Sequence, residues 1–326
     1  MKLFIALTLV FFQAARAQLT VGEVIKSTEN HYPLIRQALL ELQASESAVI
    51  NSEGAFDSSL AVKGDTRPKG FYDGEYIEAL IKKPLKPFNS SVYGGWRKGQ
   101  GLYPSYEGKY KTLDEGEAFA GLEFGLLRFR NIDKKRAELR KNKFDVDVSK
   151  AQVGQAAIEA KGLAYQAYYT WAAMEQIREI KLELLKLASE RADLIAKKVK
   201  SGALADIYNA ENGQYLAQRK ADFHQADQKY KQSAVYLSLF YRNKEGDPIV
   251  VSEETRAAVS RAEEPIRAEK LERDLKRSYA LNPKLQEIEP KIEKTKVERE
   301  LGATYLAPEL NLKLEVSKDQ GAGPES

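Results

Sequence analysis

Apolar residues recur every three or four positions along most of this chain, and every second position along one stretch of it. Residues 20–52 place Val21, Val24, Ile25, Leu34, Ile35, Ala38, Leu39, Leu42, Val49 and Ile50 near helical spacing. Pro33 divides that segment into a short helix and a longer one. From Asn131 to Lys200 no proline occurs, and Gly154 and Gly162 are the only glycines. A helix of that length spans roughly 105 Å, several times a bilayer core. Within it Val153, Ala157, Ala160, Ala164, Ala167, Trp171 and Met174 step by alternating fours and threes. That is a heptad seam whose small residues let a second helix approach closely. Past Met174 the pattern predicts a shifted seam of Ile177, Ile180, Leu184 and Leu187. Ser201-Gly202-Ala203 interrupts the helix. A return helix is predicted from Leu204 to Tyr241, with Phe223, Ala226, Tyr230, Ala234, Leu237 and Tyr241 on one side. Gly246, Asp247 and Pro248 end it.

Residues 54–125 follow a different rule. Glycine, proline and aromatics are frequent there, and apolar and polar positions alternate. Three strands are predicted, at Phe56–Lys63, Ser91–Trp96 and Ala118–Phe124. Leu60, Val62, Val92, Tyr93, Trp96, Phe119, Leu122 and Phe124 mark them as candidate membrane strands. Tyr72, Tyr76, Tyr103, Tyr106 and Tyr110 lie between the strands. Such rings concentrate where lipid headgroups meet water, and they also pack soluble β-hairpin caps. The pattern is compatible with both.

Residues 270–315 repeat the order of residues 20–65 at a constant offset of 250 positions. Pro33 corresponds to Pro283, Ile35 to Leu285, and Leu60-Ala61-Val62-Lys63 to Leu310-Asn311-Leu312-Lys313. This predicts a duplicated architecture. Residues 18–250 are the first repeat, with strands within 56–125 and a helical hairpin at 131–241. Residues 251–269 are a linker, and 270–326 begin a second repeat that stops after its first strand. With two strands per repeat, the strand near Leu310 to Val316 is expected to lack a partner.

Charge narrows the function. The chain carries 51 basic and 47 acidic residues, a net charge of +4. Such balance gives no nucleic-acid footprint. The absence of cysteine excludes disulfides, thiol nucleophiles and a lipidated N-terminal cysteine. His31 and His224 are the only histidines, which argues against zinc and against histidine catalysis. Glu263-Glu264, Glu287 and Glu289 have no convergent partner for acid–base work. No cofactor is expected. Residues 1–17 read as an export signal: Lys2, an apolar run from Leu3 to Phe12, then Ala15-Arg16-Ala17. An exported chain with no long apolar helix enters a membrane only as β-structure.

Several segments together resemble the TolC family of outer-membrane efflux proteins. Leu19 to Ile25 followed by Asn30-His31-Tyr32-Pro33-Leu34-Ile35 is similar to the family's opening helix, with Asn282-Pro283 matching its usual step in the second copy. Gly54-Ala55-Phe56-Asp57 is similar to the lead into the first strand. Gly125-Leu126-Leu127-Arg128 with Asn131-Ile132-Asp133-Lys134-Lys135-Arg136-Ala137 resembles the strand-to-helix junction, with glycine in place of proline at 125. Val199 to Glu211 resembles the hairpin tip.

The resemblance implies a mainly α fold with β-structure. Long antiparallel helical hairpins would form an α-barrel, and strands would contribute to a shared transmembrane β-barrel. It implies a homotrimer in the outer membrane, with its helices in the periplasm. It also implies docking to a periplasmic adaptor protein and, through that, to an inner-membrane transporter, in tripartite efflux or type I secretion. Ser201, Gly202, Ala203, Leu204 and Asp206 are then candidate adaptor contacts; as plain residues they also suit an ordinary helix turn. Asp145, Asp147, Asp193, Asp222 and Asp227 could line a tunnel, although paired, solvated faces account for them as well. The alternative function is a periplasmic coiled-coil adaptor or scaffold with a small β cap.

Overall fold

The computed structural model describes residues 18–103, 110–258 and 268–322. The export-signal reading (1–17), Tyr106 and Glu263-Glu264 lie outside them. The chain divides into two units, one of residues 1–39 with 153–277 and one of residues 40–152 with 278–326. Helices α2 (Pro33–Gly54), α3 (Lys134–Lys200) and α5 (Ala268–Leu281) contribute residues to both.

In the first unit, helix α1 (Val21–His31) starts on a capping box. Thr20 accepts from the backbone N–H of Glu23, and the Glu23 carboxylate returns the bond to Thr20. Strand β1 (Gln18–Leu19) pairs in parallel with β6 (Arg256–Ala257). The Tyr168 hydroxyl donates to the Leu19 carbonyl at 2.8 Å and fastens this pair to α3. Helix α4 (Ile207–Leu237) returns beside α3. Their shared core holds Ala164, Ala167, Tyr168, Trp171, Tyr230, Ala234, Leu237 and Phe240. The seam predicted through Ala160, Ala164, Ala167 and Trp171 is buried.

Beyond Met174 the prediction fails. Ile177, Ile180 and Leu187 are exposed, while Glu175 and Ala188 are buried. Glu175 can be buried there because its carboxylate is fully partnered. Its carboxylate accepts from Arg256 at 2.7 Å and from the Ala257 N–H at 3.0 Å. The return helix is also shorter than predicted, with residues 201–206 forming the turn.

In the second unit, five antiparallel strands form one sheet in the order β2-β3-β4-β5-β7. They are β2 (Ser59–Arg67), β3 (Gly74–Leu85), β4 (Ser90–Gly101), β5 (Gly116–Gly125) and β7 (Asn311–Gln320). Among the described residues, 54–125 therefore carry four strands, not three, and two strands per repeat is wrong for this copy. The missed strand, β3, ends in Lys82-Lys83-Pro84-Leu85, where a proline argues locally against a strand. Pro84 is tolerated beside the hairpin turn, opposite Ser91. The strand at Leu310 to Val316 is not unpartnered: β7 pairs with β5 from Gly125↔Asn311 to Gly116↔Gln320.

Helices α6 (Pro283–Gln286) and α7 (Ile288–Thr304) precede β7. The span from Pro283 to Thr304 lies 250 positions after the span of α2, Pro33 to Gly54. A small apolar cluster of Ile132, Ala137 and Val297, with Phe144 and Leu301, joins α7 to the start of α3.

Candidate membrane-facing sheet and hairpin tip

Register decides which side chains share a face of the sheet. Residues paired across neighbouring strands project to the same side, so each paired row reads across one face. One row runs Leu60, Ile81, Gly94, Ala120, Val316. The next rows run Val62, Ala79, Trp96, Ala118, Lys318, and Lys83, Val92, Leu122, Leu314. Phe124 and Leu312 complete the side towards the helices. Along β5 the stretch from Ala118 to Phe124 covers roughly 20 Å of strand. Leu60 is 70%, Ile81 56% and Val316 75% exposed.

The other face is charged. Its central row runs Lys63, Glu78, Arg97, Glu117, Asp319, alternating in sign except at its last step. Arg97 pairs with Glu117 at 2.6 Å and with Glu315 at 3.7 Å. Lys82 pairs with Glu123 at 3.0 Å, and Lys313 with Glu315 at 2.7 Å. Tyr76 donates to Glu78. Arg97 also lies 4.9 Å from the Phe119 ring centre. A water-soluble sheet buries its apolar face and wets its charged one. Here the ordered, paired charges stand opposite exposed aliphatics.

The eight residues singled out from sequence all lie in these strands. Leu60, Val62, Val92, Trp96, Leu122 and Phe124 share the apolar face. Tyr93 and Phe119 project to the charged face and are each 7% exposed. Sequence reasoning missed the network of Arg97, Glu117 and Glu315. Its signal was present in β7, where Lys313, Glu315, Ser317 and Asp319 alternate with Leu312, Leu314 and Val316.

The strand-to-helix junction is held by Arg136. Its guanidinium donates to Asp133 at 2.7 Å and to the carbonyls of Phe129, Arg130 and Asn131. Asp133 also accepts from the Arg136 N–H, which caps α3. Phe129 sits at φ 63° and Phe88, in the β3–β4 turn, at φ 56°. Each ring has an arginine over it: Arg128 at 5.0 Å from Phe129, Arg130 at 5.6 Å from Phe88.

The hairpin tip belongs to the first unit. The Ala203 N–H donates to the Lys198 carbonyl and the Gly202 N–H to that of Val199, both at 2.9 Å. These are the paired bonds of a Schellman ending, with Gly202 at φ +74° in the left-handed position. Ser201 donates to the Lys198 carbonyl at 3.0 Å. Asp206 leads into α4 and accepts from Asn209 at 3.0 Å. Leu204 is half-buried, whereas Ile207 and Tyr208 are exposed.

The helical carboxylates singled out from sequence are mostly paired across helices. Asp227 meets Arg178 at 2.5 Å, and Asp145 meets Lys294 at 2.6 Å. Asp222 meets Lys181 at 3.5 Å, and Asp147 meets its neighbour Lys150 at 3.3 Å. Burial pushes the Asp227 carboxyl up, but its bonds from Lys231 and Arg178 outweigh that and hold it below the usual range. Among the described residues no group of His, Cys, Asp and Glu is arranged to hold a metal ion. Among them, too, no helix is long and apolar enough to cross a membrane.

No protein-family model matches this sequence, and no curated protein matches it. Solved structures do match. The Campylobacter jejuni CmeC outer membrane channel is 12% identical, with a TM-score of 0.58 over 91% of this chain and 56% of that one. The outer-membrane channel OprN is 11% identical, with a TM-score of 0.56 over 92% of this chain and 59% of that one. The open state of the Neisseria gonorrhoeae MtrE outer membrane channel is 10% identical, with a TM-score of 0.53 over 92% and 63%. The chain thus spans between half and two thirds of the length of these channels. At such identity the likeness is one of fold: long helices with a sheet, in the TolC-type arrangement.

Proposed function

We propose that this chain builds part of the wall of an outer-membrane efflux channel, a passive duct whose helices stand in the periplasm. The observation that carries the reading is the two-faced sheet, with exposed aliphatics on one side and an ion-paired network on the other. Such a surface favours lipid in place of water against the apolar side. Its strand edges, β2 and β7, need partners in lipid. Sister copies of the chain supply them, and a homotrimer is the assembly that TolC-type channels suggest. Leu60, Val62, Val92, Trp96, Leu122 and Phe124 face lipid in this reading, while Tyr93 and Phe119 line the interior.

The tip at Ser201, Gly202, Ala203, Leu204 and Asp206 is the contact for a periplasmic adaptor, and through it for an inner-membrane transporter. Its support is an exposed apolar pair, Ile207 and Tyr208, beside the basic last turn of α3 with Lys197, Lys198 and Lys200. The transporter would supply the energy, so the chain itself performs no chemistry. Tripartite efflux and type I secretion both fit a duct of this kind.

Membrane fractionation followed by single-channel recording in planar bilayers tests the proposal. Recovery with outer membranes and stepwise conductance are expected. Quantitative release in a soluble periplasmic extract, with no conductance, would refute it in favour of a coiled-coil scaffold.

A further inference from the structure

We propose that the cleft formed by Lys86, Pro87, Arg136, Leu139, Arg140 and Lys143 binds the phosphate of an anionic lipid headgroup. The inference rests on the membrane reading of the sheet. The cleft measures about 450 Å³ and is lined by four cations, two apolar side chains and no carboxylate.

Its place in the unit fits a headgroup. Lys86 directly follows Leu85, the last residue of β3, so the cleft opens where the apolar face of the sheet ends. Beside it the turn at Pro87–Asn89 exposes Phe88, an aromatic of the kind that settles at the lipid–water boundary. The cleft is completed by the first turns of α3.

The four cations divide into two pairs. Arg136 is occupied by Asp133 and three carbonyls, and Arg140 is shared with Glu300 at 3.1 Å. The charges of these two are offset by those carboxylates, which leaves the cleft's net positive charge to the two lysines. Lys86 lies over the Phe56 ring at 5.9 Å and forms no ion pair with any described residue. Lys143 is exposed and likewise forms no ion pair with a described residue. Both ammonium groups can therefore reach a phosphate without breaking an existing pair. Pro87 and Leu139 offer carbon surface for the glycerol and first methylenes of a lipid, which a free phosphate ion would leave unused.

The test uses the full chain with vesicles of neutral phosphatidylcholine or with one third anionic phosphatidylglycerol, read by flotation. The parent chain should float with both and bind the anionic vesicles more tightly. Lys86→Ala with Lys143→Ala should lower the anionic affinity roughly ten- to thirtyfold and leave the neutral affinity unchanged. Lys86→Arg with Lys143→Arg should restore it, and Lys69→Ala, a lysine outside the cleft, should have no effect. Equal binding of the two vesicles, or a double alanine variant that keeps the anionic preference, overturns the site while leaving the membrane reading intact. Failure to float with either vesicle overturns both. If inorganic phosphate at millimolar concentration abolishes the preference, lipid is overturned as the source of the phosphate.

Discussion

The Tyr93 hydroxyl on β4 donates to the Glu315 carboxylate on β7 at 2.7 Å, reaching across β5. The strand between them makes this possible. Tyr93 pairs with Gly121, and Gly121 pairs with Glu315, so the ring lies over a residue with no side chain. A Cβ at Gly121 would overlap that ring. Lys313 approaches the other side of Tyr93, 5.1 Å from the ring centre. Residues 222 positions apart are thereby tied on the charged face of one sheet.

Gly121→Val should destabilise the sheet by about 1–3 kcal/mol through overpacking. Tyr93→Phe should cost only about 1 kcal/mol, because Glu315 keeps Lys313 and Arg97 as partners. Urea denaturation of the detergent-solubilised chain, followed by circular dichroism, separates the two. A Gly121→Val variant as stable as the parent would contradict the stacking described above.

The two faces should respond oppositely to charge. Ile81→Arg places a cation on the apolar face and should cost about 2–4 kcal/mol of membrane stability near the bilayer centre. Lys63→Arg, on the charged face, should change insertion by less than about 0.5 kcal/mol. Folding yield into lipid vesicles, measured by protease protection, gives the comparison. Equal losses would mean the sheet does not face lipid on that side.

Trp171 is fully buried between α3 and α4. Trp171→Ala should cost about 3–5 kcal/mol. Ile180→Ala, equally apolar but 56% exposed, should cost far less in the isolated chain. Thermal melts of both variants check the order.

Acid should weaken the helical unit in a defined window. Asp227 is held low by Lys231 and Arg178 against burial, and Glu23 by its bonds from the Thr20 backbone and side chain. A carboxyl whose folded pKa lies below its unfolded value adds stability above the unfolded value, near 3.9 for Asp and 4.3 for Glu. That stability is lost as pH falls through the folded value. Melting temperature should therefore be insensitive to these groups between about pH 5 and 7 and fall below about pH 4. Asp227→Asn should lower the neutral-pH melting temperature and flatten the acid fall; an unchanged acid slope would remove Asp227 as a contributor.

At the tip, Gly202→Val should strain the left-handed position by roughly 1–2 kcal/mol. Because nothing packs around it, the loss should appear as fraying of the hairpin end in hydrogen exchange, with the melting temperature of the core unchanged.

The helices were legible because each carries its own period. The seam from Ala160 to Trp171 could be read as burial without any partner in view. The break at Ser201-Gly202-Ala203 was legible too, since glycine is the residue a left-handed helix ending favours. Strand β3 was hidden because apolar residues stand on both its faces and Pro84 interrupts its end. Ile177 and Ile180 misled because an apolar residue in a helix looks the same whether it packs within the chain or awaits a neighbour. Glu175 could not be foreseen as buried, since its partners lie 81 and 82 positions away.

By itself the sequence determined the helical periods, the turn at Gly202 and the alternation within β7, all of which arise from interactions between residues close along the chain. The tertiary structure alone decided the pairing of β7 with β5, the row Tyr93–Gly121–Glu315 and the division of the sheet into an apolar and a charged face. Those depend on register, and a slip of one residue would turn every side chain of a strand to the other face. Neither strand carries that register locally; it exists only once the strands lie side by side.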